Sequence, residues 1–167
     1  MTIKGSGLLY VACAFQSTVH EIFGHDSWLD LPDPRLMPAG LGIAVDGNLV
    51  VESGTIVAGG GNDSPGIGGF TAAGNITITG GAVNSLGGPG APAIGTGNNT
   101  SQSPCGNITI TNNVGIVAHP GKGANYAIGL GYQGNCGTIT IRGTVYYDGK
   151  NFQNGGESYL AGWPLVL

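Results

Sequence analysis

Charge is the first thing this sequence is short of. Only 8% of its 167 residues are Asp, Glu, Lys or Arg, against roughly 25% in an average globular domain. Five Lys and Arg stand against nine Asp and Glu. No basic surface can be assembled from them, so no nucleic-acid partner is expected. Helical stretches rich in Ala, Glu, Lys and Leu are missing, which excludes a coiled coil or helix bundle. No apolar run approaches the ~20 residues of a membrane span, so no membrane insertion is expected. Phosphate loops, Ser/His/Asp sets and CxxC pairs are missing as well, and no catalytic residue or cofactor is expected from them. Met1 leads directly into Thr2-Ile3-Lys4-Gly5, with neither the basic nor the apolar region of a secretory signal.

What is abundant is glycine, with 34 residues, joined by 9 prolines. So much Gly and Pro points to disorder only where it lacks a period, and here there is one. Gly74-Asn75-Ile76-Thr77-Ile78-Thr79 returns as Gly106-Asn107-Ile108-Thr109-Ile110-Thr111, and again as Gly137-Thr138-Ile139-Thr140-Ile141-Arg142. Gly47-Asn48-Leu49-Val50-Val51 is a weaker copy, and Thr2-Ile3-Lys4-Gly5 reads as the tail of another. A second motif alternates with the first: Gly66-Ile67-Gly68-Gly69, Ala93-Ile94-Gly95-Thr96, Ala127-Ile128-Gly129-Leu130, with Leu41-Gly42-Ile43-Ala44 as a degenerate copy.

Ile-Thr-Ile alternates apolar and polar with period two, the pattern of a half-buried strand. Glycines on either side permit sharp turns between short strands. Strands this short cannot hold a sheet alone, but equivalent strands from successive repeats can stack at about 4.8 Å per layer. Ile76, Ile108 and Ile139 are then expected in one buried column, and Ile67, Ile94 and Ile128 in another. The expected fold is therefore all-β: a right-handed parallel β-helix, or β-solenoid, of about four to five short coils with one inserted loop. A β-sandwich is the alternative, but it gives two motifs no reason to recur in phase. The whole chain, 1–167, reads as a single domain, with a non-repeating insert at 13–39 and a C-terminal cap at 144–167.

Cys105 and Cys136 precede the repeat glycine in consecutive copies. Stacking makes them neighbours, which leaves open a disulfide or two buried free thiols. Asn75 and Asn107 also align, which allows a ladder of side-chain amides.

These phrases resemble a known family. Gly66-Ile67-Gly68-Gly69, Cys105-Gly106-Asn107-Ile108-Thr109-Ile110 and Cys136-Gly137-Thr138-Ile139-Thr140-Ile141 are similar to the GAGIGGG…CGNITI…CGTVTI repeats of glycine-rich β-helix surface proteins of gut bacteria, in Bacteroidetes and Firmicutes. Thr2-Ile3-Lys4-Gly5-Ser6-Gly7 is similar to a further rung of the same family, and Val145-Tyr146-Tyr147-Asp148-Gly149-Lys150 resembles the start of its C-terminal tail. The resemblance implies an extracellular or cell-surface location, an adhesive or glycan-related role, and no catalytic residues. It also implies further coils ahead of Thr2, so a fragment of a longer chain is expected.

The insert holds two of the three histidines, one of the two tryptophans and four of the nine acids. A long loop on a regular scaffold is often the working part. His20-Glu21-Ile22-Phe23-Gly24-His25 has the HExxxH spacing of a few zinc peptidases. The two histidines lie about 140° apart around a regular helix, against about 40° for HExxH. Pro32 and Pro34 follow soon after. His20 and His25 are therefore weak metal candidates, and no metal is expected. Phe23 and Trp28 with Asp26, Asp30 and Asp33 have the composition of a sugar site, because rings cover C–H faces and carboxylates accept hydroxyl protons. Equally, Trp28 could simply pin the insert to the scaffold.

The reading that follows is a non-enzymatic surface or adhesion module that contacts a glycan or host surface component. The alternatives are a polysaccharide-processing enzyme on a β-helix scaffold and a purely structural fibre or stalk segment.

Overall fold

The computed structural model describes residues 1–12, 39–97, 104–111, 114–131, 135–142, 144–147, 153–154 and 157–158. Among these residues the chain is all-β and contains no helix.

Three parallel sheets, of five, five and four strands, account for most of the strands, and successive repeats add one strand at a time to each. The first comprises β1 (Thr2–Ile3), β4 (Asn48–Val51), β7 (Asn75–Ile78), β11 (Ile108–Ile110) and β15 (Ile139–Ile141), in that order. The second comprises β2 (Leu8–Ala12), β5 (Thr55–Gly59), β8 (Gly81–Leu86), β12 (Val114–His119) and β16 (Thr144–Tyr147). The third comprises β3 (Leu41–Gly42), β6 (Ile67–Gly69), β9 (Ile94–Thr96) and β13 (Ile128–Gly129). Two small pairs complete the set. β10 (Pro104–Cys105) lies parallel to β14 (Asn135–Cys136), and β17 (Gln153–Asn154) lies antiparallel to β18 (Glu157–Ser158).

The register is that of the repeats. Leu49, Ile76, Ile108 and Ile139 pair Cα to Cα in one column of the first sheet. Each has no exposed surface. Ile67, Ile94 and Ile128 form the corresponding column of the third sheet, topped by Leu41. The inward column of the second sheet runs Leu9, Ile56, Val83 and Ile116. The isoleucines converge in one core cluster with Ala58, Ala93, Ala118 and Ala127. Each buried Ile or Leu contributes about 1.5–3 kcal/mol relative to exposure. No two-residue strand could bury such a column alone; the stacking supplies its cover.

Corners are built alike from repeat to repeat. Ser64 N–H donates to Gly61 O, Ala91 N–H to Gly88 O and Ala124 N–H to Gly121 O. These three turns bond to one another in turn, Gly88 N–H to Ser64 O and Gly121 N–H to Ala91 O. The non-repeating insert leaves the second sheet at β2 and returns to the third at β3, within the first trio of strands.

Candidate functional site

The outward faces of the first two sheets differ in chemistry. On the first, the outward column is Thr2, Val50, Thr77, Thr109, Thr140. Beside it Asn48, Asn75 and Asn107 stack in register, as expected for Asn75 and Asn107, but only Asn48 and Asn75 bond amide to amide. Asn75 Nδ2 donates to Asn48 Oδ1, the Asn107 backbone N–H donates to Asn75 Oδ1, and the Thr138 N–H donates to Asn107 Oδ1, each at 2.9 Å. One of these bonds joins two side-chain amides, and the other two tie a side-chain oxygen to the backbone of the next repeat.

The second sheet turns a different surface outward. Its central column is Tyr10, Val57, Asn84 and Val117. On one side of it lie Leu8, Thr55, Ala82 and Gly115; on the other, Leu86 pairs with His119. Leu8 is 67% exposed and Tyr10 44% exposed, unusual values for large apolar side chains on a strand. Ala82 and Gly115 are exposed and small, so the surface beside the column is shallow and open. None of these residues carries a fixed charge. At the centre, Asn84 is half-buried, and its Oδ1 is shielded from solvent with no hydrogen-bond partner. Partial burial raises the Tyr10 hydroxyl above its ordinary value, which keeps the ring neutral and its hydroxyl a donor. Next to Leu8, a depression of about 170 Å³ opens between β1 and β2, with Lys4 and Ser53 on its wall.

The sequence pointed elsewhere for this site. His20, Phe23, His25, Asp26, Trp28, Asp30 and Asp33 all lie outside the described residues. The second-sheet residues escaped notice because their segments share almost no identity. The signal available was alternation alone, clearest in Val114–His119, whose burial alternates strictly along the strand.

Cys105 and Cys136 are brought together as expected. They pair Cα to Cα between β10 and β14, and Ala73 bridges to Cys105 from the preceding repeat. All three are buried, and both cysteines are free thiols. Interaction of the Cys136 S–H with Cys105 as acceptor, then burial, then the proximity of Cys105's charge hold the Cys136 thiol well above its ordinary value. Among the described residues, no group of three or more His, Cys, Asp and Glu is placed to hold a metal ion. The described residues contain no helix and therefore none long and apolar enough to cross a membrane, a statement that does not bear on strands. No family model matches the chain, and no curated protein and no solved structure matches it.

Proposed function

We propose that the three stacked sheets are the faces of a right-handed parallel β-helix, and that the protein is a non-enzymatic, cell-surface adhesion-type module whose second sheet meets a neutral glycan. The right hand follows from the strong preference of parallel strand connections for that sense. The exported location and adhesive role rest on the resemblance to glycine-rich β-helix surface proteins.

One observation carries the glycan reading: Tyr10 stands exposed on an outward strand face, paired with Val57 and beside the exposed Leu8, and no residue of its column is charged. An aromatic face covers the C–H side of a sugar ring, and a shallow surface lets the ring approach. A neutral sugar loses little by leaving water for a surface without charge, whereas an anionic ligand would find no cation in the central column to meet it.

Binding of the purified chain to an array of neutral and acidic glycans tests this reading, with Tyr10→Ala and Trp28→Ala measured alongside. The expected result is binding to neutral glycans that Tyr10→Ala weakens about tenfold or more, the loss of one good contact of about 1.4 kcal/mol. Binding that ignores Tyr10→Ala but falls with Trp28→Ala transfers the site to the insert. No binding to any glycan overturns the reading, as does hydrolysis of the bound glycan for its non-enzymatic part.

A further inference from the structure

We propose that Cys105 and Cys136 are a thiol–disulfide modification site, a dithiol that a low-molecular-weight disulfide converts into a covalent staple between consecutive repeats. The inference is independent of the glycan reading. The two residues sit opposite each other on parallel strands, and the spacing of such strands, about 4.8 Å, falls within the Cα separation a disulfide accepts. In-register residues of parallel strands project their side chains in the same direction. Both are free thiols and both are buried in the core. The backbone around them is fixed on both sides: Gly106 N–H donates to Ala73 O and Gly137 N–H to Cys105 O, each at 2.9 Å. Nothing larger than the Ala73 side chain continues the column below Cys105. The pair is thus preorganised for a bond that spans one complete repeat.

The reaction is thiol–disulfide exchange with a small disulfide RSSR, of the glutathione disulfide class. Cys105, the more exposed of the two at 6% against 3%, loses its proton and attacks one sulfur of RSSR. An RS⁻ leaves and takes up that proton. Cys136 then loses its proton and attacks Sγ of Cys105 in the mixed disulfide, forming the protein S–S bond and expelling the second RS⁻, which is protonated in turn. Two thiols are oxidised to one disulfide, and RSSR is reduced to two RSH. Burial makes the first attack slow, because the small disulfide must reach a sulfur that is almost closed off from solvent.

The full chain, with and without Cys13→Ser, is incubated with glutathione disulfide and analysed by mass spectrometry before and after tryptic digestion without reductant. Lys122 lies between the two cysteines and Arg142 follows Cys136, so the digest separates them unless the bond has formed. The expected result is a chain lighter by two hydrogen atoms, no titratable thiol after unfolding of Cys13→Ser, and the peptides ending at Lys122 and Arg142 joined. The midpoint of thermal unfolding rises by about 5–10 °C, as a loop of one repeat closed in the unfolded state requires. Cys136→Ala in the Cys13→Ser background gives no joined peptide. Persistence of two free thiols, stable glutathione adducts on both cysteines, a bond to Cys13, or a bond between chains overturns the proposal.

Discussion

Gly95 lies directly over Gly129, paired in register between β9 and β13, so closely that a methyl group on Gly95 would overlap the Gly129 carbonyl. Gly68 stands in the same relation to Gly95. The φ angles of Gly68, Gly95 and Gly129 are 137°, 134° and 122°, all in territory that side chains avoid. This column explains the glycine of the Ile-Gly motif: isoleucine fills the core while glycine lets the next layer close on it. Gly95→Ala must accept both backbone strain, about 1–3 kcal/mol, and displacement of a neighbouring backbone. A loss of about 3 kcal/mol or more is expected, a fall in the unfolding midpoint of about 6–12 °C. A midpoint equal to that of the parent would refute the close stacking of the third sheet.

Legibility in the sequence follows the same physics. Where backbones touch, as at Gly68 and Gly95, or where one isoleucine must cover the next, as at Ile76 and Ile108, each layer needs the same residue. The repeat is then visible as identity. The second sheet needs only an apolar inward residue, so Leu9, Ile56, Val83 and Ile116 satisfy it with different neighbours. Its outward residues are bound by no packing rule, and Tyr10 and Asn84 could not be picked out as a surface. The asparagine column was visible at Asn75 and Asn107. Its extension to Asn48 lay in the copy whose Leu-Val-Val hides the motif.

Asp63 occupies, at φ 55°, the third turn position that Gly90 and Gly123 occupy at 80° and 85° in the following repeats. An aspartate tolerates this conformation better than most side chains because its short polar group bonds locally, and here Asn62 Nδ2 donates to Asp63 Oδ2 at 2.9 Å. Asp63→Gly loses that bond but adopts the conformation freely, so its stability should remain within about 0.5 kcal/mol of the parent. Asp63→Ala loses the bond and keeps the strain, and should fall about 1 kcal/mol below Asp63→Gly. Urea unfolding of the two variants decides the point. Equal stability would mean that the turns are not equivalent.

The Cys136 thiol gives stability a pH dependence whose sign is fixed. Its folded-state value lies above the ordinary 9.0, first through the Cys105 hydrogen bond and then through burial. The folded protein therefore holds this proton more tightly than the unfolded chain. The resulting stability is fully present below the ordinary thiol value and declines as pH rises above it, because the unfolded chain ionises first. Urea midpoints of the reduced protein should be insensitive to this thiol from pH 6 to about 8 and fall toward pH 10. Cys136→Ala should flatten that fall. The raised Tyr10 hydroxyl acts in the same direction but only from near its ordinary 10.0 upward. A Cys136→Ala profile as steep as the parent's would show that the thiol pair is not the source.

Two polar side-chain atoms are shut away from solvent without a hydrogen bond, Asn84 Oδ1 and Thr96 Oγ1. A buried unsatisfied acceptor or donor costs about 1–3 kcal/mol. Thr96 is fully buried in β9, in register with Gly69, far from any outward face. Asn84 stands between Val57 and Val117 on the outward face of the second sheet. Replacing either with valine removes the unpaired group at similar size, so Thr96→Val and Asn84→Val should each gain about 1 kcal/mol, or 2–4 °C in midpoint. They should differ in binding. Thr96→Val leaves the outward face unaltered, and neutral-glycan affinity with it. Asn84→Val changes the side chain at the centre of the proposed glycan face, between Val57 and Val117, and affinity should fall several-fold while stability rises. If Asn84→Val gained stability and lost no affinity, the second sheet would not be the glycan face.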